Sequence, residues 1–150
     1  MARLPLQILV YVCRRPTPTT TEFLLLKRTA ALGGFWQGVT GAVEGGESFE
    51  QAARREVEEE TGYQQFIRFH SLDYHYRYPV DRPRWGYLYA PEVEVIDEEC
   101  FGAEVGVDQG EPVLDPHEHD QYRWLNVRQA LALLVWPENR GALRRFVDTL

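Results

Sequence analysis

Residues 41–63 read GAVEGGESFEQAARREVEEETGY, and the fold prediction depends on this stretch. Ser48, followed by Gln51 three residues later, has the form of a capping box, in which each side chain bonds the other residue's backbone N–H. Gly62 suits the left-handed conformation just past the end of a helix. We therefore predict a helix from about Ser48 to Thr61.

One face of this helix changes from apolar to acidic along its length. At about 100° per residue, a single stripe contains Phe49, Ala52, Ala53, Glu56, Glu59 and Glu60. Glutamates one turn apart repel, and those in the last turn face the negative end of the helix dipole, at roughly 0.3–1 kcal/mol each. Mg²⁺ would reverse both effects, since it prefers carboxylate and water oxygens and often binds phosphates on its free side. The stripe favours a cation site, although an acidic helix taken alone is usually a solvated face.

Composition narrows the class of protein. The 150 residues fit a single domain spanning 1–150, and the net charge of −7 argues against a nucleic-acid polymer as partner. Cys13 and Cys100 are far apart, which favours a reducing compartment over a disulfide framework. No apolar run approaches the roughly 20 residues of a membrane span. We expect a cytoplasmic protein that does not bind membranes.

The rest of the chain predicts the α+β class, with helices packed on a mixed sheet. Leu6–Cys13 and Glu22–Arg28 are expected to form a hairpin, separated by a loop at 14–19. The further expected strand segments are Phe66–Tyr78, Trp85–Val95, Cys100–Val107 and Tyr122–Leu125. The order of the strands between residues 76 and 107 is left open.

Two more helical segments are expected near the end of the chain. Asn126 can cap a helix through Leu134, with Gln129 completing a capping box. Trp136-Pro137 is expected to break that helix, and Asn139–Leu150 to supply a final helical turn or two.

Eight positions in and around the acidic stripe have the spacing of a known motif. In chain order they are Gly41, Glu47, Arg55, Glu56, Val57, Glu59, Glu60 and Gly62. The pattern resembles the Nudix box, with Tyr63 where the motif usually ends in an aliphatic residue. The resemblance implies the Nudix fold, an α/β/α sandwich around a mixed β-sheet with a catalytic loop–helix–loop.

The resemblance also implies a hydrolase that uses Mg²⁺, with Mn²⁺ as a substitute. The implied metal ligands are the Gly41 carbonyl, Glu56, Glu59 and Glu60. Arg55, Glu56 and Glu59 form the implied catalytic group, and Arg55 is expected to orient the acids by pairing with Glu47. The planar guanidinium of arginine suits such bidentate pairing with a carboxylate.

The general base is left between two glutamates. Glu56 is one candidate, because family members differ on whether a box glutamate or a later loop acid serves. The other is Glu118 in the loop His117-Glu118-His119, which we predict as a further metal ligand or base. The two histidines invite a zinc assignment, but histidines in a polar loop are more often surface residues.

Looser matches outside the box resemble the bacterial branch that hydrolyses dihydroneopterin triphosphate and dATP. They lie in Phe35–Glu44, Glu118–Leu125 and Trp136–Arg140. The branch implies cleavage of a nucleoside or pterin triphosphate, such as dATP or an oxidised dNTP, to a monophosphate and pyrophosphate. Alternatives are ADP-ribose or another nucleoside-diphosphate sugar, weakly indicated by Pro79, and a non-catalytic nucleotide-binding module. A homodimer would be common for the family.

Candidate substrate-binding residues flank the box. Phe35 and Trp36 precede it and are expected to offer an aromatic platform to a purine or pterin ring, with Tyr78 and Trp85 as further candidates. Each aromatic side chain has a plain alternative as a core residue. The candidates for gripping phosphates are Lys27, Arg28 and Arg77, each of which could equally be a solvated strand end.

Overall fold

The protein is described from a computed structural model, which covers residues 2–150. Within these residues there are seven strands: β1 Leu6–Thr17, β2 Thr20–Arg28, β3 Trp36–Gln37, β4 Val39–Ala42, β5 Arg68–Pro79, β6 Val95–Glu104 and β7 His119–Leu125. The same part of the chain contains four α-helices: α1 Phe49–Thr61, α2 Arg82–Trp85, α3 Val127–Leu133 and α4 Pro137–Asp148. No helix within 2–150 combines the length and apolar character that crossing a membrane would need.

The strands form one mixed sheet. Its main order is β3-β2-β1-β6-β5, with β4 also paired to β1 and β7 to β2. β1 runs antiparallel to β2 and β4 but parallel to β6, whereas β5 and β6 are antiparallel. The sheet confirms the predicted hairpin of β1 and β2 and supplies the strand order that the sequence left open.

Helices cover both faces of the sheet because β1 is apolar on both sides. Ile8, Val10 and Val12 point into the cluster that packs against α1. Leu9 and Tyr11 point into the opposite cluster, which contains buried residues of α3 and α4. Such alternation follows from the two-residue period of a strand. The α+β prediction and the Nudix-type sandwich are confirmed.

Three local predictions were wrong. Trp85–Val95 is not a strand, because Asp81 caps the short helix α2, with Pro83 in its first turn, and a 3₁₀ turn follows at Gly86–Leu88. The hairpin strands continue through most of the expected loop at 14–19, up to Thr17 and again from Thr20.

The last helix is also longer than expected. Pro137 begins α4 instead of merely ending its predecessor, because proline's fixed φ and missing N–H are tolerated at the first helical position. The helix has 12 residues, and its buried Ala142, Leu143 and Phe146 close the second cluster.

Candidate active site

The capping box places α1 as predicted. The backbone N–H of Gln51 donates to Ser48 Oγ at 3.0 Å, and that of Ser48 donates to Gln51 Oε1 at 2.8 Å. Gly62 ends the helix with φ 82°. The caps fix where α1 begins and ends, and its buried Ala52, Ala53 and Val57 fix which face it turns toward the sheet.

The three glutamates of the stripe differ sharply in burial. Glu60 is 2% exposed, whereas the side chains of Glu56 and Glu59 are 12% and 57% exposed. Neither carboxyl oxygen of Glu60 meets a hydrogen-bond donor within residues 2–150. Burial, followed by the nearby Glu56 carboxyl, raises the pKa of Glu60 well above its usual range. Burial also raises the pKa of Glu56, against the lowering effect of Arg55.

A buried histidine faces Glu60. His119 Nδ1 lies 3.7 Å from Glu60 Oε1, and Gln37 Nε2 lies 3.0 Å from His119 Nε2. Since the Gln37 amide donates to Nε2, the ring proton of neutral His119 sits on Nδ1, toward Glu60. Burial and then the charge of Arg28 lower the pKa of His119 to about 4, so the ring is neutral near pH 7.

The sequence placed both loop histidines at the surface, and for His119 this was wrong. His117 is exposed, but His119 is 1% exposed at the start of β7, where it pairs with Arg28 of β2. That pairing joins distant parts of the chain, and no local sequence signal points to it. Ligand atoms of Glu60, Glu118 and His119 lie within 4.8 Å of one another, an arrangement that could hold a metal ion.

Gly41 supplies the space beside Glu56. A Cβ built at Gly41 would overlap the Glu56 carboxyl group, so a larger residue there would displace that carboxyl. β4 thus brings its backbone directly against the acidic stripe. Glycine is therefore required at this position for a steric reason, and the Gly41 carbonyl stays a predicted oxygen ligand.

Arg55 links the loop before α1 to the acidic stripe. Its Nε and Nη2 donate to the two carboxyl oxygens of Glu47 at 2.7 and 3.0 Å, and Nη1 donates to Glu56 Oε1 at 2.9 Å. Nη2 also donates to the Ala42 carbonyl at 2.9 Å. Bidentate pairs of this kind restrict the geometry more than single ion pairs do. Hydrogen bonds from Arg55 hold the pKa of Glu47 below its usual range.

Two adjoining cavities extend from the acidic site. One of about 480 Å³ is bordered by Gly41 and Glu56. The other, of about 680 Å³, has Phe35 and Trp136 in its wall, with ring centroids 4.7 Å apart in an edge-to-face arrangement. The residues that border both cavities are Arg3, Gln7, Arg28, Thr40 and Glu118. The two cavities therefore form one groove, with carboxylates at one end and aromatic rings at the other.

The structure brings some predicted substrate residues to this groove and not others. Arg28, Phe35, Tyr78, Pro79 and Trp85 all border the larger cavity. Trp36 borders neither cavity. The Arg123 guanidinium lies over its ring, with Cζ 5.1 Å from the centroid of the Trp36 ring.

Arg77 and Lys27 also border neither cavity. Arg77 is on β5 with its side chain 72% exposed, and its Nε pairs with Asp97 at 2.6 Å. The sequence missed Tyr76, Glu98 and Asn139, which do border the larger cavity. Their meeting depends on the pairing of β5 with β6 and on the position of α4.

Comparisons with known proteins agree with this geometry. The NUDIX domain model matches residues 4–146. Dihydroneopterin triphosphate diphosphatase of Escherichia coli (strain K12) is 34% identical over 153 residues, covering 95% of this chain and 92% of that protein. The structure of the E. coli dihydroneopterin triphosphate pyrophosphohydrolase superposes with a TM-score of 0.80 at 31% identity, covering 99% of both chains.

A further match is to a much longer protein. An octanoyltransferase of Myxococcus xanthus is 36% identical over 122 residues, which cover 81% of this chain but 31% of that protein. The match therefore indicates that the octanoyltransferase contains a domain similar to this chain. The chain belongs to the Nudix family. It is a Nudix hydrolase, an enzyme that acts on phosphoanhydride bonds.

Proposed function

We propose that the chain is a Mg²⁺-dependent pyrophosphohydrolase that cleaves a nucleoside or pterin triphosphate to a monophosphate and pyrophosphate. One observation carries the proposal: a single groove joins the carboxylates of Glu56 and Glu118 to an aromatic cavity of about 680 Å³. A triphosphate attached to a flat heterocycle fits such a groove, because its phosphates can bind the carboxylates through a cation while its ring packs against the aromatic side chains. The 34% identical dihydroneopterin triphosphate diphosphatase supports the same class of substrate.

The residues at the acidic end fit a hard divalent cation. Glu60 is buried with both oxygens unpartnered, and such a carboxylate is costly in the absence of a counter-charge. Glu56, Glu60 and Glu118 would hold the ion, with the more exposed Glu59 and the Gly41 carbonyl as further oxygen ligands. Carboxylate and carbonyl oxygens are the ligands that Mg²⁺ prefers, and Mn²⁺ accepts the same set. The bound cation would neutralise phosphate oxygens and make a water molecule more acidic.

His119 acts behind the carboxylates. Its Nδ1–H faces Glu60 at 3.7 Å, while Gln37 holds the other side of the ring. At this distance the neutral imidazole presents its N–H toward the Glu60 carboxylate without adding a charge and without occupying either oxygen.

Arg28 binds the phosphate chain. It lies where the two cavities meet, and its Nε is buried without a partner within residues 2–150. The guanidinium matches phosphate oxygens with paired N–H groups. The backbone N–H of Thr29, the next residue, donates to the Glu118 carbonyl at 3.0 Å, which keeps the acid beside the arginine.

Glu118 is the better placed of the two candidate bases. Its side chain borders both cavities, whereas the Glu56 carboxyl is already engaged by Arg55 at 2.9 Å. Burial and the Glu56 charge raise the pKa of Glu118, against the lowering effect of Arg28. One oxygen of Glu118 would bind the ion, and the other would stay free to take the proton of the attacking water in the groove.

The proposal is tested by product analysis with a substrate panel. The panel contains dihydroneopterin triphosphate, dATP, 8-oxo-dGTP, ADP-ribose and a dinucleoside polyphosphate, each with Mg²⁺ and with EDTA. We expect the highest kcat/KM for a triphosphate, release of pyrophosphate rather than orthophosphate, and no turnover in EDTA. Higher kcat/KM for ADP-ribose would replace this proposal with the nucleoside-diphosphate sugar alternative, and metal-independent turnover would contradict the cation's role.

A further inference from the structure

Three polar side chains lie side by side on the floor of the larger cavity. Glu98 of β6 pairs in register with Gln7 of β1 on one side and with Tyr76 of β5 on the other. Paired positions of neighbouring strands are about 4.8 Å apart and share one face of the sheet. All three residues border the cavity. Farther along the same face β1 is apolar, with Leu9 buried in the second core cluster.

Glu98 is a buried hydrogen-bond acceptor. The residue is 5% exposed, and no arginine, lysine or histidine within residues 2–150 forms an ion pair with it. The Tyr76 hydroxyl accepts a hydrogen bond from the Asn139 side-chain amide at 3.0 Å and donates its own proton to Glu98 Oε2. This chain of bonds uses one lone pair of Oε2, so Oε1 and the second lone pair of Oε2 remain to accept from a ligand.

Gln7 complements Glu98 as a donor. The Tyr78 hydroxyl donates to Gln7 Oε1, which engages the acceptor half of that amide. The other half, Nε2, has two N–H groups and can only donate. Along the row, the cavity floor therefore offers two carboxyl acceptors and, one strand away, an amide donor.

This order matches one kind of heterocycle. Guanine and pterins share an edge on which an exocyclic amino group, a ring N–H and a carbonyl stand side by side, giving donor, donor and acceptor. We propose that Glu98 and Gln7 read this edge, with Glu98 accepting from the amino group and the ring N–H and Gln7 donating to the carbonyl. The proposal rests on the triphosphatase function above and names the ring class that the same site selects.

Adenine does not fit the same row. Its corresponding edge carries an amino group followed by a ring nitrogen with a lone pair, which would face a Glu98 oxygen. Burial raises the pKa of Glu98 to about 7, against the lowering effect of Tyr76. Two N–H donors from a ligand favour the ionised carboxyl, so binding the proposed edge shifts Glu98 toward its accepting form.

The cavity walls suit a flat ring held in this orientation. Phe35 and Trp136 pack edge to face in the wall, and Trp85 borders the cavity as well. Phe35 also lies 5.9 Å from the Arg28 guanidinium, measured to the ring centroid. The aromatic wall is thus next to the phosphate-binding arginine, as a ring followed by a phosphate chain requires.

The test compares four triphosphates on the wild-type enzyme with Mg²⁺: dGTP, dITP, dATP and dihydroneopterin triphosphate. dITP differs from dGTP only by the missing amino group. We expect kcat/KM for dGTP or dihydroneopterin triphosphate to exceed that for dITP and dATP by about 10- to 100-fold, the usual effect of one paired recognition contact. The better of the two preferred substrates identifies whether guanine or a pterin is the source of the edge.

Glu98→Gln tests the residue itself. Its amide presents one acceptor and one donor, so kcat/KM for the preferred substrate should fall about 10- to 100-fold while that for dATP is maintained or rises. Glu99→Gln is the matched control, because Glu99 is the next residue of β6, points to the other face and borders neither cavity. It should leave the substrate ranking unchanged.

Equal kcat/KM for dGTP, dITP and dATP, unaltered by Glu98→Gln, would overturn this inference and leave the triphosphatase function standing. Absence of hydrolysis for all four would instead contradict the function. Binding of the α,β-methylene analogues of dGTP and dATP, measured by calorimetry with wild type and Glu98→Gln, then decides the inference independently. A guanine preference that Glu98→Gln abolishes supports it, and equal Kd values overturn it.

Discussion

Glu60 is a buried acid that lacks a neutralising partner within the described residues. It is buried, its oxygens have no donors within the described residues, and its neighbours Glu56 and Glu118 are acids that raise its pKa. Replacing one carboxylate oxygen by an amide nitrogen removes the ligand charge but also the cost of burying it. Function and stability should therefore respond in opposite directions at this position.

We expect Glu60→Gln to lower kcat by about 100-fold or more, the usual effect of removing a group that stabilises transition-state charge. The melting temperature without metal should be unchanged or higher. Glu58→Gln is the control, because Glu58 lies in the same helix but is exposed on the opposite side. Steady-state kinetics and thermal unfolding of both variants check this, and normal turnover by Glu60→Gln would remove Glu60 from the site.

Gly41 is required at its position for a steric reason. A methyl group at Gly41 would overlap the Glu56 carboxyl, whereas one at Gly45 would meet no atom within 4 Å. We expect Gly41→Ala to lower kcat at least 10-fold, as misplacing a catalytic group does, and Gly45→Ala to leave it near the wild-type value. Kinetics at saturating Mg²⁺ measure the difference. Equal activity of the two variants would show that Glu56 can move without consequence.

At the scale of elements, α1 and the loop before it act as one unit through Arg55. Its guanidinium donates hydrogen bonds to the Glu47 carboxyl, to the Ala42 carbonyl and to the Glu56 carboxyl. Lysine keeps the charge of arginine but lacks its planar set of paired donors. A substitution to lysine therefore separates the geometric role of Arg55 from its charge.

We expect Arg55→Lys to lower kcat by about 10- to 100-fold, as loss of a partner behind a metal ligand commonly does. Arg54→Lys is the matched control: Arg54 is the preceding helical residue, half exposed, and its Nε pairs with Glu50 at 3.3 Å. The ratio of the two kcat values is the measurement. If both variants lose activity equally, the effect belongs to helix stability and not to the orientation of Glu56.

At the scale of the whole molecule, cation binding should stabilise the fold. A ligand that binds only the native state contributes about 2.7 kcal/mol at 100 times its Kd. The acids of the site, Glu56, Glu60 and Glu118, have raised pKa values in the metal-free protein. A raised carboxyl pKa means that the native state holds more protons than the unfolded state, so these groups lower the stability as pH rises above the usual glutamate range.

Mg²⁺ competes with those protons, since its carboxylate ligands must be ionised. The increase in Tm caused by millimolar Mg²⁺ should therefore be larger at pH 8 than at pH 5. Thermal unfolding with and without Mg²⁺ at both pH values measures this increase, and Glu60→Gln should show a smaller one. An increase that is independent of pH would contradict binding at these acids.

The sequence by itself determined the features that are local or periodic. The capping box and Gly62 gave the bounds of α1, the 3.6-residue period placed the glutamates on one stripe, and the spacing of Gly41 to Gly62 indicated the family. The hairpin of β1 and β2 followed from two apolar runs around a turn. All of these depend on residues close together in the chain, where backbone geometry alone relates one position to the next.

Only the tertiary structure decided which distant residues meet. The burial of His119 against Glu60 depends on the pairing of β7 with β2, and the Gln7–Glu98–Tyr76 row depends on the registers of β1, β6 and β5. Trp36, predicted as part of an aromatic platform, and Arg77, predicted to grip phosphates, border neither cavity of the groove. The physical reason is that strand register and helix docking follow from burying both faces of the sheet at once, a balance over the whole chain that no local pattern encodes.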